Sequence, residues 1–124
     1  MSESGRILIV DDEPLIRDAL AFKLTKEGYY VETAEDGEKA IEILDQESFD
    51  IIISDVMMPF ISGFELLQIL KERGTEAPIL MLTSLNSESA VHKALDLGAD
   101  DFMTKPFSPK DLTTRIKKLL ENKR

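Results

Sequence analysis

The chain has no cysteine and a single histidine, His92. A disulfide scaffold, a thiolate zinc site and a cysteine nucleophile are therefore excluded, as is a metal site built from several histidines. No apolar run approaches the roughly 20 residues that a membrane helix requires. The segment from Met1 to Arg6 is short and polar, which speaks against a signal peptide and, with the missing cysteines, fits a cytoplasmic location. Repeats, linkers and low-complexity stretches are also lacking, so residues 1–124 read as one domain with a core over about 5–121. What is abundant is acid. The formal net charge of −9 argues against direct binding of nucleic acid or an anionic membrane through bulk charge. Solubility explains most of that acidity, but not the placement of three aspartates.

Short apolar runs alternate with helical patterns along the chain. Arg6–Val10 is an apolar run of strand length, and Leu15, Ile16, Ala19, Leu20 and Leu24 follow at helical spacing behind Pro14. Tyr30–Ala34 is the next strand candidate; Ala40, Ile41, Ile43 and Leu44 mark a second helix. Ile51, Ile52 and Ile53 give a β-branched third strand. Ser62-Gly63-Phe64-Glu65 fits a capping box, and Gly74 ends the helix it opens. A fourth strand lies within Pro78–Thr83, a fourth helix runs from about Ser87 to Leu97, and a short strand near Asp101–Thr104 precedes Lys105-Pro106. Ser108 and Pro109 open a last helix, with Leu112, Ile116, Leu119 and Leu120 on its inner face. Five strand–helix units in alternation predict an α/β, doubly wound parallel sheet of five strands, covered by five helices through right-handed crossovers.

Ligands of such sheets bind beyond the carboxyl ends of the strands. Asp11 and Asp12 follow the first strand, Asp55 the third; Thr83 ends the fourth, and Lys105 follows the fifth. Three carboxylates without histidine or cysteine suit a hard cation, Mg²⁺ before Ca²⁺. Thr83 and Lys105 are donors that such a cation does not need and that an anion beside it does. The set points to a phosphoryl group on, or approaching, a carboxylate. Taken singly, Asp12 could cap the first helix, Thr83 the segment after it, and Lys105 could be a solvated loop residue; their joint placement is what carries weight.

The motifs Val10-Asp11-Asp12-Glu13, Asp55-Val56-Met57-Met58-Pro59, Thr83-Ser84, Gly98-Ala99-Asp100-Asp101-Phe102 and Lys105-Pro106-Phe107 together resemble the receiver domain of two-component response regulators. The resemblance implies strand order 2-1-3-4-5, Asp55 as phosphoacceptor, and Mg²⁺ (with Mn²⁺ as a substitute) on Asp12, Asp55 and the main-chain carbonyl of Met57, with Asp11 acting through water. It further implies Lys105 as the partner of the phosphoryl group, Thr83 and Phe102 as the switch pair, and a cis Lys105–Pro106 bond. The implied partners are a sensor histidine kinase or phosphotransfer protein as donor, and an output domain or downstream protein on the face of the fourth helix, fifth strand and fifth helix. The expected role is that of a signalling domain rather than a turnover enzyme.

Phe60 and Ser62 depart from the usual family loop; Phe60 either packs locally or marks a partner surface. A flavodoxin-like carrier is disfavoured because Asp11-Asp12-Glu13 would repel a flavin phosphate. An aspartyl phosphatase would want an acid where Met57 stands. A degenerate receiver used only for docking is the alternative kept open. On the output face, Asp101 with Arg115 and Asp96 with Lys117 have the signs to pair across a two-fold axis. Val91 and Asn122 stand where basic residues are usual, so a monomer is expected, with at most a weak dimer when phosphorylated.

Overall fold

The computed structural model describes residues 5–85 and 87–122. Five strands, β1 (Arg6–Val10), β2 (Tyr30–Ala34), β3 (Ile51–Ser54), β4 (Ile79–Thr83) and β5 (Asp101–Thr104), alternate with helices α1 (Pro14–Lys26), α2 (Gly37–Gln46), α3 (Gly63–Glu72), α4 (Glu88–Asp96) and α5 (Pro109–Glu121). Every strand pair is parallel and the order is β2-β1-β3-β4-β5, as expected. β3 and β4 are buried at every residue, which is why their sequences are continuous apolar runs rather than alternations.

Each face of the sheet has its own core. Leu8, Val10, Ile52, Ile79 and Met81 pack with Leu66, Leu67 and Leu70 of α3 on one side. Ile7, Ile9, Ile51, Ile53, Leu80 and Leu82 pack with Leu20 and Leu24 of α1 and Leu112 and Ile116 of α5 on the other. The helix boundaries follow local chemistry. Ser62 accepts from Glu65 N while Glu65 reaches back to Ser62 N, completing the predicted capping box. Ser87 and Ser108 likewise cap α4 and α5 through their side chains.

One expectation needs correction. Leu15 and Ala19 belong to the apolar spacing of the first helix, yet both are exposed, Leu15 at 84%. The inward stripe is Ile16, Leu20 and Leu24, at intervals of four residues; Leu15 and Ala19 lie about 100° away on the helical wheel and face outward.

Candidate functional site at the carboxyl edge of the sheet

Strand register sets the site. Val10 is paired with Ser54, so the next residues, Asp11 and Asp55, leave neighbouring strands side by side. Asp55 N donates to Val10 O at 2.9 Å and Asp11 N to Ala34 O at 3.1 Å, which extends the ladder into both aspartates. On the other side Thr83 is paired with Thr104, and Lys105 N donates to Thr83 O at 2.8 Å. The Lys105–Pro106 bond is cis.

The side chains converge. Lys105 Nζ lies 2.9 Å from Asp11 Oδ2, 3.2 Å from Glu13 Oε1 and 3.5 Å from Asp55 Oδ2. Its side chain is only 10% exposed, which excludes the solvated-loop alternative. Asp11 and Asp55 are buried and Asp12 is exposed; one carboxylate oxygen from each lies within 4.8 Å of the others. That spacing, with oxygen donors only, suits a hard divalent cation. Burial pushes the Asp11 carboxyl above its ordinary range; the hydrogen bond from Glu13 N and the Lys105 ammonium offset this only in part. Burial also works against the charge on Lys105, but its hydrogen bond to Asp11 and the charges of Asp55 and Asp11 outweigh that, so its pKa is raised and it stays cationic.

Asp55 Oδ1 accepts from Val56 N at 2.7 Å and Met57 N at 3.3 Å. Main-chain donors thus fix the carboxylate through one oxygen and leave Oδ2 toward Lys105. Thr83 is fully buried, with Oγ1 accepting from Leu85 N at 3.2 Å. Phe102 is half-buried and lines a cavity of about 340 Å³ with Val91, Phe107 and Arg115. The predicted site residues therefore share one edge, except Phe102, which sits on the lateral face.

Four further residues shape the edge. Glu13 is a third acid on Lys105, and it occupies the N-cap of α1 without a capping side-chain bond. Arg17 Nη1 donates to the main-chain oxygen of Asp11 at 2.8 Å. Gly63 brings α3 so close that a Cβ there would stand 2.0 Å from Asp55 O. Phe60 does not pack locally: it is 84% exposed, has φ +68°, and is the centre of a turn in which Ile61 N donates to Pro59 O at 2.8 Å. Gly63 left a signal through its place behind the Ser62 cap and Phe60 through its departure from the usual family loop, whereas the contacts of Glu13 and Arg17 left none.

On the output face, Asp101 and Arg115 already pair within one chain. Arg115 reaches Asp101 at 2.8 Å and Asp111 at 3.4 Å within one chain, so these charges are matched without a second copy.

An acidic trio and a buried lysine at the edge of a 2-1-3-4-5 parallel sheet define a class, and sequence comparison agrees: the chain belongs to the response regulator receiver domain family, whose profile matches residues 7–117. The alkaline phosphatase synthesis transcriptional regulatory protein PhoP of Bacillus subtilis (strain 168) is 44% identical over 115 residues, covering 93% of this chain and 48% of that protein. The receiver domain of the Francisella response regulator 1452 superposes with TM-score 0.92 at 31% identity, covering 97% of this chain and 99% of that one. The response regulator protein TrrA from Thermotoga maritima, solved in complex with Mg²⁺-BeF, gives TM-score 0.83 at 37% identity, covering 92% and 97%. The chain spans about half the length of the curated relatives it matches. Among the described residues, no helix is long and apolar enough to cross a membrane.

Proposed function

We propose that this chain is a phosphorylation switch in which Asp55 accepts a phosphoryl group from a phosphohistidine on a sensor histidine kinase or phosphotransfer protein. The observation that carries this reading is the convergence of a buried, charged Lys105 on Asp11 and Asp55 beside Asp12. Asp55 Oδ1 is engaged by two main-chain N–H groups, so Oδ2 is the oxygen free to attack. The new O–P bond forms in line as the donor's P–N bond breaks, and the electron pair stays with the imidazole, which takes up a proton. Lys105 neutralises charge developing on the phosphoryl oxygens and gives up its contact with Asp55 to do so.

Asp11, Asp12, Asp55 and the main-chain carbonyl of Met57 would hold Mg²⁺, which supplies further positive charge to those oxygens and relieves repulsion among the acids. The TrrA relative, with its Mg²⁺-BeF, supports that choice of ion. The added charge on Asp55 then draws Thr83 from its bond with Leu85 N. Phe102 has the adjoining cavity in which to move. The surface of α4, β5 and α5 would thereby shift its population toward a form read by an output domain or downstream protein. Arg115, satisfied within the chain, supports a monomer before phosphorylation and at most a weak dimer after it.

Acetyl phosphate with Mg²⁺ tests the reading without any kinase. Intact mass should show one phosphoryl adduct on the wild-type chain and none on Asp55→Asn of unchanged circular dichroism. An equal yield on Asp55→Asn refutes the assignment, and no adduct on either chain returns the domain to a docking role.

A further inference from the structure

Arg17 stands out among the charged residues around the site. It is half-buried in the second turn of α1 and directs Nη1 at a neutral main-chain oxygen, that of Asp11, at 2.8 Å. Among the described residues it makes no ion pair, although the chain carries 24 acids. An arginine this close to an acidic cluster gains more from a carboxylate than from a carbonyl, so its geometry calls for a reason other than charge.

That reason lies in the loop it holds. Asp11 is fixed by its side chain, with Oδ1 on Glu13 N at 2.9 Å and Oδ2 on Lys105. Asp12 has no such support: its carboxylate is exposed and makes no hydrogen bond among the described residues. Its direction depends on the Asp11–Asp12 peptide plane, which the Asp11 carbonyl shares. The N-cap residue Glu13 makes no side-chain capping bond to α1, its carboxylate going to Lys105 instead. We propose that Arg17 is a positioning residue: by clamping the Asp11 carbonyl it sets the Asp11–Asp12 peptide and keeps the Asp12 carboxylate within reach of Asp11 and Asp55. The inference rests on the metal-dependent reading above. It assigns Arg17 no contact with the metal or the phosphoryl group.

Charge and positioning make opposite predictions. Removing a cation beside an acidic site strengthens its attraction for Mg²⁺, whereas loosening a ligand through its outer support typically weakens metal binding by about 10- to 100-fold. Calorimetric titration of Mg²⁺ alone into wild type, Arg17→Met and Arg17→Lys separates them. Arg17→Met should bind at least about tenfold more weakly, with little change in its metal-free melting temperature. Arg17→Lys keeps a donor on a long stem and should recover most of the loss. Binding by Arg17→Met that equals or exceeds wild type overturns the proposal, as does Arg17→Lys binding no better than Arg17→Met. Should Arg17→Met fail to fold, Arg17→Gln replaces it under the same two outcomes. Wild type that takes up no Mg²⁺ would instead bring down the metal-dependent reading, and this inference with it.

Discussion

The two ends of one sheet hold their charged groups differently. At the amino end, Arg6 lies over Tyr30 at 4.3 Å and Phe49 at 5.2 Å, donates to Ser48 O and pairs with Glu47, while its own N–H bonds Asp50. These charged groups are hydrogen-bonded and half-buried, and the cavity beside them, about 480 Å³, is roomier than the one under Phe102. At the carboxyl end the charges are unequal: buried Asp11 and Asp55 and exposed Asp12 and Glu13 gather around Lys105, the one cation that forms ion pairs with them among the described residues. Uncompensated charge held at a strand edge is costly unless a ligand balances it, and it marks function better than cavity size does.

Substitutions at the two ends should accordingly separate chemistry from stability. The largest effect is expected of Gly63→Ala, whose new Cβ would overlap Asp55 O and Val56 Cα, main-chain atoms that cannot step aside. A loss of about 3 kcal/mol by urea unfolding, with impaired labelling of the surviving fold, is the expected result; a neutral substitution would show that the close approach is not needed. Phe60→Asn should act in the other direction. Asparagine tolerates a left-handed backbone that phenylalanine does not, so stability should rise by about 0.5 kcal/mol, and a fall would reveal packing that an exposed Phe60 does not display. Smallest is Glu47→Ala at the amino end. Removing this half-buried partner of Arg6 should change stability by about 0–1 kcal/mol and leave acetyl phosphate labelling untouched; altered labelling would dissolve the distinction between the ends.

How much of this was readable beforehand divides along the same physical line. The strands announced themselves because burial on both faces demands unbroken apolar runs such as Ile51-Ile52-Ile53, and Ser62 and Glu65 spell their capping box locally. The edge could be assembled from residues that follow strand ends, since parallel topology dictates that those ends meet. Arg17 on the Asp11 carbonyl and the turn at Phe60 could not be, because a side chain reaching back to a main-chain oxygen leaves no periodic trace. Leu15 misled because an apolar residue at helical spacing is compatible with either side of a helix, and only packing decides. Asp101 and Arg115 have the signs to pair, and their separation by 14 positions in the sequence conceals that the two lie 2.8 Å apart within the chain.

The claim on which the rest depends is that Asp55, rather than its equally buried neighbour Asp11, carries the phosphoryl group. An acyl phosphate on aspartate is reduced by borohydride to homoserine, which peptide sequencing by mass spectrometry locates. After treatment with acetyl phosphate and Mg²⁺, the account predicts homoserine at position 55 and aspartate at 11 and 12, with no conversion when the metal is chelated. Homoserine at position 11 or 12, or full conversion at 55 without metal, would contradict it.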